Sequence, residues 1–419
     1  VGIPACIERL AEQAPELERD NVHRHPASQG QAYRARKLLQ GIKVIDVDTH
    51  VSEWHDLWTA RAPAKLKDLV PRIVGEGAER RWVIGENSFL FTASASCAVM
   101  KDGSKSRGLE FFDKDVGDVH EAAHDVHARV RLMDEQGIYA QVAYPNILGF
   151  GGQRGMEVDA SLRLESIRIF NGAMAEMQQE SGQRIFPMAL LPWWDIEQSV
   201  AETERCMKMG LKGININSDP QDHGVPSLGE NHWDPLWEVC VANGLPVNFH
   251  IGASDTSTSW YFNSSWPEMS PNQKLAMGGL MLFVTNLRVM GNILMSRFLE
   301  RHPTLKIVSV ESGAGWIPYL LEGLEYMSNE AAVEFAVSPS EVFRRQVYAC
   351  TFFEKRNFLD TLRQVGVDNI MFETDYPHPA CLYPQAMEHM ADVIAEMTVE
   401  ERFKVFSGNA AKVYNIDIG

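Results

Sequence analysis

From about residue 43 onward, short apolar runs rich in β-branched and aromatic residues alternate with longer amphipathic stretches. The runs are KVIDVDTH from Lys43, YAQVAYPN from Tyr139, RIFPMALLP from Arg184, LKGININS from Leu211, LPVNFHI from Leu245, LKIVSVES from Leu305, QVYACTF from Gln346 and NIMFETDYP from Asn369. Near-continuous apolar runs of this length suit strands buried on both faces. Between them lie helical patterns such as HEAAHDVHARVRLMDEQG and DIEQSVAETERCMKMG, which close on Gly137 and Gly210, where a helix C-cap favours glycine. Eight strands, each followed by a helix, predict an α/β chain folded as a (β/α)8 TIM barrel. An open doubly wound sheet is the competing architecture, but no glycine-rich first turn follows the first run.

The rhythm predicts an N-terminal extension over residues 1–42 and a barrel over residues 43–419. Two insertions interrupt it, residues 51–120 after the first strand and GASDTSTSWYFNSSWPEMSPNQ after the fifth. Within the first, RRWVIGENSFLFTAS alternates around Gly-Glu-Asn and predicts a hairpin. Both insertions follow strands that end in histidine, so in a barrel they would stand on the catalytic face as lids or pocket walls. Trp260, Tyr261 and Trp266 are candidate wall residues.

Composition narrows the function. With 45% hydrophobic and 23% charged residues the chain reads as an ordinary soluble globular protein. A formal net charge of −17 disfavours attraction to nucleic acid or to an anionic membrane. The six cysteines lie apart, without CxxC spacing, which suits free thiols and a cytoplasmic location. No uninterrupted apolar leader stands at the N-terminus, and no stretch reads as long enough to span a bilayer.

The strand ends carry the chemistry. Asp48 and His50 end the first run, His250 the fifth, Glu311 the sixth and Asp375 the eighth. In a barrel all five would meet at one mouth, and a set mixing imidazole with carboxylate suits zinc, manganese or iron. A lone histidine after a strand is commonly a hydrogen-bonded core residue. Five such groups on four strand ends are harder to explain that way, because uncompensated buried charge is costly. Asp46 reads as a structural hydrogen-bonder facing away from its neighbours, Glu53 as either a ligand to a second metal or a cap, and His378 as a brace for Asp375. His120, His124 and His127 have helical spacing, but their charged surroundings predict a solvated helix face.

DVDTHVSEW, RLMDEQGIYAQVAYPN, VNFHIG, HPTLKIVSVESGAGWIPYLLE, MFETDYPHP and VFSGNAAKVYNI follow in an order that resembles the metal-dependent amidohydrolase superfamily. Within it, the chain is similar to the amidohydrolase 2 group, which includes aminocarboxymuconate semialdehyde decarboxylase and resorcylate-type decarboxylases. The resemblance implies that Asp48, His50, His250 and Asp375 are metal ligands and that Asp375 also handles a proton. Glu311 stands where the decarboxylases typically carry a histidine; it could be a fifth ligand, a general base or a brace. Binuclear relatives place a carboxylated lysine at the end of the fourth strand. Here that end reads Asn215, Asn217 and Ser218, with Lys212 at the strand's start, so no carbamate bridge is expected.

These readings predict a metal-dependent hydrolase or non-oxidative decarboxylase. It would act on a small carboxylated or cyclic substrate, use metal-bound water or substrate, and move a proton through Asp375. The alternative is an oxygen-dependent monooxygenase with a dinuclear iron or iron/manganese centre, favoured by the carboxylate-rich ligand set. A third reading is a metal-bearing subunit that has lost activity. A homo- or hetero-oligomer is expected.

Overall fold

The computed structural model describes residues 29–419. Eight parallel strand positions appear in the expected order. They are Val44–His50, Ile138–Tyr144, a broken third made of Ile185–Pro187 and Ala189–Leu190, Ile214–Asn215, Pro246–His250, Lys306–Val310, Val347–Thr351 and Ile370–Phe372. The first three pair in one sheet, and the second half of the third strand pairs onward through to the eighth. At the break, Met188 N–H donates to Ala143 O at 2.9 Å and Ala189 N–H to Gly213 O at 3.1 Å, so the kinked strand serves both neighbours. A parallel bridge between Thr49 and Tyr376 closes the eighth strand on the first. The architecture is the (β/α)8 barrel, with insertions after the first and fifth strands.

Ile45, Val47, Val142, Val308, Val310 and Met371 fill the barrel interior together with Val413 and Tyr414 of the C-terminal helix Asn409–Tyr414. Lys306, at the start of the sixth strand, donates to the carbonyls of Lys412 and Val413 at 3.2 Å. That helix therefore plugs the end where strands begin, and the opposite end is left for chemistry. A larger apolar cluster fills the layer between strands and outer helices.

Local signals act where the sequence placed them. Asp195 accepts from Gln198 N–H to start Ile196–Met209, and left-handed Gly210 (φ 99°) ends it. Asp125 likewise caps Val126–Gln136, which ends at Gly137 (φ 76°). That cap corrects the three-histidine helix. His120 and His124 lie before it, flanking the 3-10 turn Glu121–Ala123, and only His127 is on the helix, exposed and 3.2 Å from Glu180.

The predicted hairpin is present as Arg81–Ile84 and Ser88–Thr92, turning at Gly85 and Asn87 with positive φ. A third strand, Arg72–Val74, pairs at its edge; three residues are too few to show alternation. The fifth-strand insertion folds as helix Asp255–Asn263 packed on the 26-residue helix Pro271–Ser296. By length and composition the latter could cross a membrane, which corrects the reading that no stretch reaches that length. Its C-terminal half is core, with Val289, Met290, Ile293 and Leu294 buried. Helix Gln29–Leu38 of the extension contacts Ala386–His389 and Ala391–Glu396 near the C-terminus. The leader reading falls on residues 1–28, outside the described residues.

Candidate metal centre and its cavity

The first strand aims its donors through an irregularity. Ile45 and Val47 face the barrel interior, but the register with the second strand shifts between Asp46 and Thr49. Such a shift re-aims side chains and recurs beside active sites. Asp46 faces away: its carboxylate accepts from Thr374 N–H (2.9 Å), Thr374 Oγ1 (2.6 Å) and Gln141 Nε2 (3.1 Å). It is the expected structural group, although burial pushes its carboxyl up to about 7. Asp48 and His50 instead stand at the mouth, fully buried.

There the donors converge. His50 Nε2 lies 3.0 Å from His250 Nε2 and 3.7 Å from Asp48 Oδ1. His250 Nε2 is 3.5 Å from Asp48 Oδ1 and 3.3 Å from Glu311 Oε2. One donor atom from each of Asp48, His50, His250 and Glu311 falls within a sphere of contacts no wider than 4.8 Å, and so does one from each of His50, Glu311, Asp375 and His378. All five residues expected from the strand ends are brought together, and His378 joins them. Its Nδ1 lies 3.1 Å from Asp375 Oδ1, its Nε2 is 2.8 Å from Asn146 Oδ1, and its ring stacks on His50 at 3.6 Å.

This arrangement fits a divalent cation. Neither oxygen of Asp48 has a hydrogen-bond partner although the side chain is fully buried, a costly state for a carboxylate with no positive neighbour. Burial, with the charges of Asp375 and Asp48 added, raises the Glu311 carboxyl well above its ordinary range. Burial and Asp48 do the same to Asp375. Burial, then His378 and His250, push His50 well below the usual histidine value, and burial with His250 pushes His378 down to about 3. Desolvation thus favours the neutral forms of Glu311, Asp375, His50 and His378, and a cation among them reverses the sign for the two carboxylates.

Glu311 and Asp375 both adopt left-handed backbone, each with φ of 58°. Non-glycine residues held there carry strain that tends to collect at functional sites. Sequence reasoning missed three supports. Fully buried Glu373 accepts from Glu311 N–H at 3.1 Å, and burial beside Asp48 raises its carboxyl well above the ordinary range. Asn146 orients His378. Buried Arg129 donates to His50 O at 2.6 Å and lies 4.5 Å over the Tyr376 ring, tying the first strand to the eighth. The clue to Glu373 was its place in the quoted MFETDYP; Arg129 had none, because its partners lie far off in sequence.

Glu53 is used by backbone: it accepts from Asn146 N–H at 2.7 Å and Ile147 N–H at 3.0 Å, holding the loop after the second strand. Asn215 donates to Phe150 O, Asn217 accepts from Asp219 N–H at 2.8 Å, and Ser218 donates to Asp219 at 3.0 Å. The fourth-strand end therefore serves loop structure. A cavity of about 490 Å³ opens over Glu311, Asp375 and His378. Tyr261 lines it, whereas Trp266 is 67% exposed and Trp260 is not among the lining residues.

Residues 45–416 match the amidohydrolase family, and the chain belongs to that family. It is 27% identical over 324 residues to a gamma-resorcylate decarboxylase from Polaromonas sp. (strain JS666), covering 73% of this chain and 92% of the relative. An amidohydrolase from Mycobacterium avium subsp. paratuberculosis K-10 shares the fold with a TM-score of 0.70 at 23% identity, over 89% of this chain and 99% of that one. A dihydroxybenzoic acid decarboxylase from Polaromonas sp. JS666, solved with manganese and 2-nitroresorcinol, matches with a TM-score of 0.52 at 20% identity, over 89% and 97% of the two chains.

Proposed function

We propose that this protein is a metal-dependent non-oxidative decarboxylase of a carboxylated cyclic substrate, with Asp48, His50, His250, Glu311 and Asp375 holding one divalent transition metal. The observation that carries this reading is the buried, unpartnered carboxylate of Asp48 among two imidazoles and two further carboxylates. Manganese in a structural neighbour supports manganese over the alternatives zinc and iron. When bound, the cation supplies Lewis acidity that draws the substrate's oxygen atoms and spreads developing negative charge. Asp375 would relay the proton: ionised beside the cation, its carboxylate takes a proton from a substrate hydroxyl or from water, and as the carbon–carboxylate bond breaks, with its electron pair staying on carbon, that proton passes to carbon and carbon dioxide leaves. His378, fixed by Asn146, holds Asp375 in place. Glu373 holds the Glu311 backbone.

Residues 43–419 form the functional unit, with residues 51–120 as its lid. A cytoplasmic location is supported by the five described cysteines, all free. An oligomer is supported by exposed Tyr319, Tyr326 and Met327 on one helix. Under nitrogen, manganese-loaded protein should release carbon dioxide from a carboxylated substrate, and chelated protein should not. A strict need for oxygen would overturn the reading.

One observation favours a second reading, the dinuclear oxygenase: the two overlapping donor groups share His50 and Glu311, and a shared carboxylate bridges two metals well. Glu311→Gln should then drop the metal count from two to one. One metal in both proteins by elemental analysis leaves the decarboxylase standing.

A further inference from the structure

The cavity above the donors is larger and more apolar than a single-ring acid needs. An apolar cavity of about 150 Å³ is enough to hold benzene, whereas this one is about 490 Å³, within the roughly 300–1,000 Å³ range of sites that enclose drug-sized ligands. Its walls include Phe91, Phe111, Phe112, Phe150, Phe283 and Phe353, drawn from both insertions and from the ends of the second and seventh strands. Aromatic walls of this kind favour burial of a flat or bulky hydrocarbon body.

A glycine pair in helix Pro271–Ser296 shows how the space is kept open. Glycine weakens a helix interior, so its presence there asks for a reason. At Gly278 the reason is contact: a Cβ would fall 2.5 Å from Tyr261 O of the neighbouring helix. At Gly279 a Cβ would meet nothing within 4 Å, and Gly279 lines the cavity. Packing does not require glycine there. Cavity volume does.

The charged lining residues are Arg154, Glu311 and Asp375, with neutral polar Ser96, Gln153, Thr258 and Tyr261 elsewhere on the wall. Arg154 is the single cation among the lining residues. It donates to Asn146 O at 3.1 Å, and Asn146 in turn orients His378, so Arg154 shares a wall with the donor cluster. Its guanidinium lies 4.4 Å over the Phe91 ring and its Nε has no hydrogen-bond partner; among the described residues no carboxylate makes a direct ion pair with it, although the charges of Glu53 and Asp255 favour its cationic form. A part-buried guanidinium on the cavity wall with no carboxylate bonded directly to it suits an incoming carboxylate.

We propose that the substrate is a drug-sized, largely apolar carboxylic acid, its carboxylate beside Arg154 and the donor cluster and its polycyclic or bulky body against the phenylalanine wall under Gly279. This rests on the decarboxylase reading for the reacting end and adds the substrate's size and polarity. The probes are pyrene-1-carboxylate, neutral 1-pyrenemethanol and benzoate, titrated calorimetrically into manganese-loaded protein. Pyrene-1-carboxylate should bind at least about tenfold more tightly than benzoate. Gly279→Trp should cost pyrene-1-carboxylate about tenfold or more while benzoate stays within about threefold. Arg154→Gln should weaken pyrene-1-carboxylate by a similar factor and leave 1-pyrenemethanol unchanged. Metal content and melting temperature of both variants serve as the folding control, with Gly279→Leu as the milder filler if the tryptophan variant does not fold. Pyrene-1-carboxylate binding no tighter than benzoate, or indifferent to either substitution, overturns the proposal even if single-ring acids are decarboxylated. Binding as expected with no carbon dioxide released from any acid removes the decarboxylase reading instead and leaves the pocket assignment intact.

Discussion

Asp375 combines left-handed backbone, complete burial and an imidazole 3.1 Å away, so local strain falls on the residue proposed to carry the reaction's proton. Asp375→Asn keeps its shape but removes that proton, and turnover should fall by about two to four orders of magnitude, the span expected for losing a general acid or base. Metal content should fall far less; near-normal turnover in the variant would remove Asp375 from the mechanism. His250→Ala takes away one of the two imidazole nitrogens that meet at 3.0 Å. Bound metal measured by elemental analysis should drop sharply while the barrel stays folded. Full metal content would show that the cluster is not the metal site.

At the scale of elements, the helix pair after the fifth strand makes its own test. In an exposed helix, replacing glycine by alanine stabilises by roughly 1 kcal/mol. Gly279→Ala has open space and should follow that rule. Gly278→Ala should do the opposite, because its new methyl would press on Tyr261 O and push the two helices apart. Urea unfolding of both variants checks the sign, and equal effects would mean that the helices do not approach as described. The expected strands and the Gly137 and Gly210 caps were legible because they depend on residues close in sequence. The division of the three-histidine segment by Asp125 and the edge strand Arg72–Val74 were not. One turns on a single carboxylate, the other on pairing across a sheet.

For the whole molecule, the cluster links stability to pH and to metal. Glu311, Glu373 and Asp375 have folded values well above the ordinary carboxylate range, so the metal-free folded state holds protons that the unfolded chain releases. Their contribution is complete below about pH 4 and is lost as pH rises through the folded values. His50 and His378 are held below their ordinary value of 6.5 and act in the other direction, losing stability as pH falls beneath it. Above 6.5 only the carboxylate slope remains from this cluster. Metal-stripped protein should therefore melt at a lower temperature at pH 8.5 than at pH 6.5, and saturating metal should raise both values and flatten the difference. At a thousandfold excess over its dissociation constant the metal should add about 4 kcal/mol. A melting temperature that rises with pH in the stripped protein would contradict the assignment of buried protons.

By itself the sequence determined the barrel, its register of strand and helix, and which strand ends carry Asp48, His50, His250, Glu311 and Asp375. Periodicity, caps and strand termini are local properties, and barrel closure converts strand ends into one mouth without further information. Only the tertiary structure decided what those side chains touch. Glu53, open between metal and cap, is taken by the amides of Asn146 and Ile147. Asp48 points to the mouth through a shift in register that no single strand encodes. Arg129 ties His50 to the Tyr376 ring across the barrel's closure. The cavity too is made by distant segments meeting, because its volume depends on how far apart two insertions hold their phenylalanines, a distance set by packing and not by the residues in order.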